Sequence, residues 1–151
     1  MPAKTTKKRT KRAVSSQTGP MTVTAVMERR VQSARAGTKC DVIASLMIEG
    51  FGAVPVIDAK RVLVGIVSEH DLLAALDDGH LLGNLTAKDV MTANPYSVRP
   101  ETTVATLVHV LRASDLVRVP VVDAKDRLVG IVARRDILRA YVGGRPARTT
   151  R

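Results

Sequence analysis

A serine and an aspartate three residues apart, Ser68 and Asp71, are the side chains in this sequence best spaced to do chemistry. They stand where an apolar run ends and a helical pattern begins. There the hydroxyl can accept the third backbone N–H of the helix while the carboxylate reaches back to its first residue, which is a capping box. The same carboxylate can instead accept hydrogen bonds from both hydroxyls of a ribose, and the N–H groups of the turn suit a phosphate. The residues alone leave the structural and the ligand-binding interpretations open.

The stretch that contains this pair occurs twice in the chain. Residues 54–73 read VPVIDAKRVLVGIVSEHDLL and residues 119–138 read VPVVDAKDRLVGIVARRDIL, with 13 identities in 20 positions at an offset of 65. In the second copy Asp136 is retained, Ala133 replaces the serine, and Arg134 and Arg135 replace a glutamate and a histidine. Such a match indicates two copies of one supersecondary unit, related by an approximate two-fold axis.

The pattern of apolar residues predicts the same order of elements in each copy. A short turn at the Val-Met pairs (26–27 and 90–91) leads into a strand near 31–35 or 96–99, and then into a helix with apolar positions at helical spacing. A hairpin follows, with strands at 54–57 and 63–67 or at 119–122 and 128–132, and the last helix runs from 69 to about 77 or from 134 to about 142. Strands that are apolar at nearly every position need cover on both faces. We therefore expect an α/β (α+β) fold of two pseudo-symmetric β-α-β-β-α repeats packed sheet to sheet.

Single residues mark several element ends and exclude some kinds of site. Thr102 or Thr103 can cap the helix that follows, and the glycines at 50 and 52 fit a helix stop. Cys40 is the only cysteine, so an internal disulfide and a Cys-based zinc site are excluded, and we expect it to begin a helix as a small apolar residue. No cluster of histidine, cysteine and aspartate indicates a metal site.

The net charge of +10 belongs to the two ends of the sequence. Residues 1–20 contain six basic side chains and no acid, and residues 143–151 contain three basic side chains and no acid, which leaves 21–142 nearly neutral. We expect 1–20 to be a disordered basic tail, because it has almost nothing to bury. This tail is either a solvated segment or a contact for nucleic acid or another polyanion. No apolar run is long enough to span a bilayer, so we expect no membrane partner.

Residues 21–142 resemble a tandem pair of cystathionine-β-synthase-type (CBS) domains, the arrangement called a Bateman module. The resemblance rests on the two Val-Met pairs, on Val-Pro-Val-x-Asp at 54–58 and 119–123, and on Gly-x-Val-x-x-x-Asp at 65–71 and 130–136. It implies a first CBS motif at 21–80 and a second at 81–142, followed by a basic C-terminal tail at 143–151. It also implies a cleft with two pseudo-symmetric sites for adenosine-type ligands, namely AMP, ADP, ATP, S-adenosylmethionine or dinucleotides.

The resemblance assigns roles to particular residues. Ser68 and Asp71 would hold the ribose and nearby phosphate of one site, and Asp136 would belong to the other. The chain around the two prolines would line the base pockets, with Gly52, Ala53 and Val54 in one and Val117, Arg118 and Val119 in the other. Arg118 is either a solvated strand end or a phosphate or base contact, and His70 is either an exposed helix residue or a phosphate contact.

The second motif departs from the family pattern at Ala133. The missing hydroxyl removes one hydrogen bond, worth roughly 0.5–1.5 kcal/mol net, which Arg134 and Arg135 would partly offset through phosphate contacts. The corresponding cation of the first site is only His70, an imidazole that is largely neutral at pH 7. We therefore expect two unequal sites, the first more complete around ribose and the second more basic.

These features predict a regulatory module rather than an enzyme. The sequence has no nucleophile–base pair, no phosphate-binding glycine loop and no converging pair of carboxylates. We expect a cytoplasmic homodimer that needs no cofactor, binds an adenine nucleotide or S-adenosylmethionine as a regulatory ligand, and signals to an unknown effector protein. Two alternatives stay open: a nucleic-acid-associated dimeric scaffold that acts through its basic tails, and a packing module in which Ser68 and Asp71 only cap a helix.

Overall fold

Two β-hairpins, one in each repeat, provide the strands on which the fold is built. The structure, a computed structural model, describes residues 20–143. The strands are β1 (Ala53–Ile57), β2 (Leu63–Ser68), β3 (Thr92–Ala93), β4 (Arg118–Val122) and β5 (Leu128–Ala133). The helices are α1 (Val23–Val26), α2 (Cys40–Ile48), α3 (Glu69–Asp77), α4 (Ala87–Val90), α5 (Val104–Ser114) and α6 (Arg134–Gly143), with a 3-10 turn at Leu82–Asn84. The predicted hairpins and helices are thus confirmed.

Local side-chain and backbone interactions fix the ends of these elements. The hydroxyl of Thr103 accepts the backbone N–H of Thr106 at 3.2 Å and caps α5. Helix α2 ends just before Gly50, whose φ of 118° is a conformation that suits glycine. In the first hairpin turn Asp58 accepts two backbone N–H groups, at 2.8 and 2.9 Å, and Asp123 repeats this arrangement in the second. The cap and helix stop predicted from the sequence are confirmed.

The first predicted strand of each repeat is much shorter than expected. Within residues 20–143 it consists of one bridge residue, Ala34 in the first repeat and Val98 in the second. Ala34 donates its N–H to the Pro55 carbonyl and accepts the Ile57 N–H, both at 2.9 Å. If this parallel pairing continued toward residue 32, the next hydrogen bond would have to be donated by the backbone N–H of residue 55. Residue 55 is a proline and has no N–H. Pro120 has the same position beside Val98, so both strand predictions were wrong in length for one physical reason.

The segment that leads into the first repeat packs on the second repeat. The Val23 N–H donates to the carbonyl of Thr102 at 2.8 Å, and Glu28 and Ile131 exchange two backbone hydrogen bonds of 2.8 and 3.0 Å. The Met27 side chain fits against Gly130, where a Cβ would lie only 2.9 Å from its sulfur. Helix α1 is therefore part of the second repeat's packing, although it belongs to the first repeat in sequence.

The segment that leads into the second repeat packs on the first in the equivalent way. The Ala87 N–H donates to the carbonyl of Thr38 at 2.8 Å, and β3 pairs antiparallel with β2. The Met91 side chain lies directly against Gly65, which leaves no room for a Cβ there. The two lead-in segments are thus exchanged between the repeats.

This exchange produces two hydrophobic cores, each built from both repeats. What we call the first core unit contains the buried residues Ala34, Cys40, Ile43, Met47, Val54, Val56, Val67, Leu72 and Ala87. The second core unit contains Val23, Val26, Met27, Val98, Val104, Leu107, Leu111, Val119, Val121, Val132 and Ile137. Because each core includes residues of the other repeat's lead-in, each repeat depends on the other for its packing.

The two core units meet where the second strands of the hairpins begin. Val62 and Arg127, which are equivalent positions of the two repeats, form an antiparallel bridge. The Leu63 N–H donates to the Asp126 carbonyl, and the Leu128 N–H donates to the Arg61 carbonyl, both at 3.0 Å. The bridge lies on the approximate two-fold axis predicted from the repeat, so the sheets of the two halves are joined by backbone hydrogen bonds.

Cys40 is the first residue of α2 and is completely buried, as predicted from its sequence context. Burial raises the pKa of its thiol, and the nearby carboxylates of Asp89 and Asp41 raise it further. The thiol is therefore protonated at neutral pH and acts as a small apolar side chain. None of the helices within residues 20–143 has the length and apolar character needed to cross a membrane.

Candidate functional site

Ser68 and Asp71 form the capping box expected at the start of α3. The Asp71 N–H donates to Ser68 Oγ at 3.2 Å, and the Ser68 N–H donates to Asp71 Oδ2 at 2.8 Å. Within the described part of the chain, the second carboxylate oxygen of Asp71, Oδ1, receives no hydrogen bond. The cap therefore uses half of the carboxylate, and the capping and ligand-binding interpretations are compatible.

A cavity of about 460 Å³ lies beside this cap, between the two core units. Its volume is within the range of about 300–1,000 Å³ typical of small-molecule sites. Both repeats contribute to its wall, which is lined by Gly52, Ala53, Ile66, Ser68, Glu69, His70, Asp71, Thr92, Pro95, Tyr96, Asp115, Leu116, Val117, Arg118 and Pro120. The structure thus brings the whole Ser68 motif together with chain from both predicted base pockets.

Arg118 crosses this cleft from the second repeat to the first. Its guanidinium lies so close to Gly52 that a Cβ there would overlap the guanidinium group. Arg118 begins β4 and is half-buried, so its position is fixed both by the strand and by the contact with Gly52. Of the lysines and arginines within residues 20–143, it alone lines the cavity. The Arg118 guanidinium can therefore keep its present position in the cleft only while residue 52 is a glycine.

The other predicted pocket residues divide into cleft and core. Ala53 and Val117 line the cavity together with Gly52 and Arg118. Val54 and Val119 are completely buried in the first and second core units, respectively. Their side chains hold the strands in place, while the adjacent residues Ala53, Arg118 and Pro120 line the cleft.

The second motif is arranged differently, because both oxygens of Asp136 are already engaged. Oδ2 accepts the Ala133 N–H at 2.8 Å, and Oδ1 accepts a hydrogen bond from Nη1 of Arg139 at 3.2 Å. The position equivalent to Arg139 in the first repeat is Ala74, which offers no cation. An acceptor for ribose is therefore more available at Asp71 than at Asp136.

Arg134 and Arg135 lie outside the cavity that contains Ser68. The Arg134 side chain donates to the Leu116 carbonyl at 2.6 Å and forms an ion pair of 3.2 Å with Asp115. Arg134 also lines a second, largely apolar cavity between α5 and α6. Arg135 is exposed on the first turn of α6. A phosphate that recruited Arg134 would have to displace two existing partners.

Several residues of the cavity wall were not identified from the sequence, among them Tyr96, Thr92 and Asp115. Tyr96 and Thr92 follow the second Val-Met pair, and they reach the Ser68 site because the lead-in segments are exchanged. Asp115 has the left-handed conformation (φ 55°, ψ 32°) at the end of α5, where the first repeat has Gly50. Alignment of the repeats could have indicated Asp115, whereas nothing in the sequence shows the exchange.

No group of three or more potential metal ligands occurs within residues 20–143. The nucleic-acid prediction concerns the basic tails, 1–20 and 143–151, which except for Pro20 and Gly143 lie outside the described part of the chain. The hydrogen-bonding groups of the cleft are therefore the features that bear on its function.

Comparison with known proteins identifies the family of this chain. The model of the CBS domain matches twice, over residues 23–78 and 87–143. The chain therefore belongs to the CBS domain family and contains a tandem pair of these domains, as the sequence resemblance predicted.

Solved structures of CBS domain pairs share this fold. The structure of CBSX2 from Arabidopsis thaliana in complex with AMP superposes with a TM-score of 0.72 at 29% identity, covering 82% of this chain and 97% of that one. The CBS domain pair of protein MJ0100, in complex with methylthioadenosine and S-adenosylmethionine, gives a TM-score of 0.76 at 25% identity, covering 84% of this chain and all of that one. These similarities confirm the predicted fold class.

CBS domain pairs also occur inside longer proteins. Arabinose 5-phosphate isomerase KdsD of Pseudomonas aeruginosa is 36% identical to this chain over 94 residues, which are 62% of this chain and 29% of the isomerase. This chain thus spans less than a third of that relative.

Proposed function

We propose that this protein is a regulatory module that binds an adenosine-containing ligand in the cleft beside Ser68 and Asp71. The observation that carries the proposal is the Asp71 carboxylate, which lines a cavity of about 460 Å³ and keeps Oδ1 available while Oδ2 caps α3. A carboxylate held in this way is suited to accept hydrogen bonds from ribose hydroxyls. CBS domain pairs are in general regulatory rather than catalytic, and the two similar structures contain AMP, or methylthioadenosine and S-adenosylmethionine.

The first site is the principal one in this proposal. Ser68 completes its cap, and Asp71 has an available oxygen. In the second motif Ala133 cannot provide a hydroxyl, and Arg139 already occupies Oδ1 of Asp136. The sequence predicted that the first site is the more complete around ribose, and the interactions of these groups support that prediction. The predicted basic character of the second site has less support, because Arg134 is held by Leu116 and Asp115.

Binding in this cleft would be coupled to the arrangement of the two core units. The cavity wall takes residues from both units, so a bound ligand contacts both sides of their junction. A ligand can shift a conformational equilibrium only by its difference in affinity between the two arrangements. We propose that this shift is the signal, and that it is transmitted through a homodimer to an effector protein. The cytoplasmic location expected from the sequence stays a prediction.

The proposal is tested by calorimetric titration of the full chain, purified free of nucleotide, with adenosine, AMP and S-adenosylmethionine. The variant Asp71→Asn keeps an oxygen for the Ser68 N–H but loses the charge that strengthens hydrogen bonds to ribose. Hydrogen bonds to charged groups are worth about 1.5–3 kcal/mol, so affinity should fall roughly 10- to 150-fold. The comparison variant Asp136→Asn should change affinity less than about threefold.

Two results would contradict the proposal. One is the absence of saturable binding, and of any thermal shift, with all three ligands. The other is equal loss of affinity in the two variants, which would show that Asp71 has no special role. Urea unfolding of each variant separates a loss of affinity from a loss of folded protein.

A further inference from the structure

The charges around the cleft indicate which adenosine ligands it favours, and this inference rests on the function proposed above. Within residues 20–143, the cavity is lined by three carboxylates, those of Glu69, Asp71 and Asp115, and by one guanidinium, that of Arg118. Asp115 is paired with Arg134, which adds one positive charge at the edge of the cleft. Counted with histidine neutral, these five side chains carry a net charge of about −1. The part of the cleft formed by residues 20–143 is therefore weakly acidic.

Cations that could offset a chain of phosphates are scarce at this site. Arg118 is fixed against Gly52, and it faces the acidic groups of the same cavity. Arg134 directs its guanidinium toward the Leu116 carbonyl and the Asp115 carboxylate, at 2.6 and 3.2 Å. No lysine of residues 20–143 lines the cavity. A triphosphate would thus bring several negative charges to a site where the described residues provide one accessible arginine and a glutamate without an ion pair.

Glu69 is the residue that makes the net charge of these side chains negative. It is exposed on the first turn of α3, next to the Ser68 cap, and no ion pair to it is formed within residues 20–143. Its equivalent in the second repeat is Arg134, so the two motifs have opposite charges at this position. Its carboxylate is also not required for the capping box, which uses Ser68 and Asp71.

We propose that this cleft selects adenosine ligands whose substituent is uncharged or cationic, such as a thioether or a sulfonium, over adenosine polyphosphates. Asp71 holds the ribose in every case, and Glu69 and Arg118 determine the charge of the group attached to it. One exposed charge at a separation of several ångströms in water changes the affinity of a singly charged ligand about two- to threefold. The effect multiplies with ligand charge, so it is largest for ATP.

The test is titration of the full chain with methylthioadenosine, S-adenosylmethionine, AMP and ATP, at 50 and 300 mM salt. We expect methylthioadenosine and S-adenosylmethionine to bind at least tenfold more tightly than ATP at low salt, and the difference to shrink at high salt. Glu69→Gln should strengthen ATP binding about fivefold or more, leave methylthioadenosine unchanged and weaken S-adenosylmethionine two- to threefold. The matched control Glu101→Gln removes an exposed glutamate outside the cavity and should change none of these affinities.

The possible outcomes separate this inference from the proposed function. Binding of ATP as tight as that of methylthioadenosine would overturn the charge selection while leaving adenosine binding in place. An unchanged ratio of the methylthioadenosine and ATP affinities in Glu69→Gln would show that Glu69 does not cause the selection, and would also overturn the inference. Binding of none of the four ligands would overturn both the selection and the function on which it rests.

Discussion

Replacement of Gly52 by alanine should displace the Arg118 side chain, although residue 118 remains an arginine. A Cβ at position 52 would overlap the guanidinium, whereas the backbone of Gly52 does not have a positive φ and accepts an alanine. The far end of a long flexible side chain yields more easily than the strand. We therefore expect Gly52→Ala to leave the fold intact and to displace the guanidinium from the cavity wall.

The expected magnitudes differ for stability and for binding. Alanine lowers the entropy of the unfolded chain, which stabilises by about 0.4–1 kcal/mol, and this gain offsets much of the cost of moving an arginine side chain. For AMP, a displaced guanidinium loses one charge-assisted contact, worth about 1.5 kcal/mol at the low end of its range. That loss corresponds to roughly a tenfold weaker affinity. Methylthioadenosine has no phosphate, so its affinity should change less than about twofold.

The assay is calorimetric titration with both ligands, combined with urea unfolding, for Gly52→Ala, Arg118→Ala and the double variant. Because both substitutions remove the same contact, the double variant should bind AMP no more weakly than Arg118→Ala alone. Gly37→Ala is the matched control, since the space around Gly37 is open. Additive losses in the double variant would refute the reasoning, as would equal losses for AMP and methylthioadenosine.

Three further predictions concern stability. Ala133→Ser should add the missing hydroxyl of the cap at α6 and stabilise the protein by about 1 kcal/mol. The measurement is the free energy of unfolding in urea, which should increase. No gain would show that Asp136 alone caps the helix. Gly130→Ala should lower the free energy of unfolding by about 1–3 kcal/mol, and by more than Gly65→Ala does. The reason is that a Cβ at position 130 meets the Glu28 backbone carbonyl at 3.0 Å as well as a methionine. A larger loss for Gly65→Ala would contradict this prediction. Hydrogen bonds from the Arg127 backbone, and then from Lys125 and the Arg127 side chain, lower the pKa of Asp123. This carboxylate therefore stabilises the fold above its unfolded pKa of about 3.8 and stops doing so as the pH falls through the lower folded value. The stability difference between wild type and Asp123→Asn should be present at pH 7 and disappear in strong acid; a constant difference would contradict this.

Elements that depend on nearby residues could be predicted from the sequence. The cap at Ser68, the helix stop at Gly50 and the aspartate turns all involve partners within a few positions, so short patterns contain the necessary information. The pair Asp136 and Arg139 also has helical i, i+3 spacing. Its effect on the second site could have been predicted from that spacing, but the prediction was not made.

The exchange of lead-in segments could not be predicted in the same way. Met27 and Met91 are equivalent, and so are Gly65 and Gly130, so sequence patterns fit either pairing equally well. The choice depends on the path of the chain between the repeats. For this reason the sequence could not place Tyr96 beside Asp71. The shortened first strands have another cause, because the proline that marks the family motif also removes the N–H that a longer ladder needs.

The exchange also determines where the positive charge of the chain is attached. Residue 20 lies just before α1 and residue 143 ends α6, and these two helices pack against each other and contribute buried residues to the second core unit. The sequence segments joined to these residues, 1–19 and 144–151, contain nine basic side chains and no acid. Segments at opposite ends of the linear sequence are thereby attached to helices of the same core unit. Neither segment is joined directly to the first core unit. That unit includes Leu72 of helix α3, the helix that carries Asp71, the more available ribose acceptor.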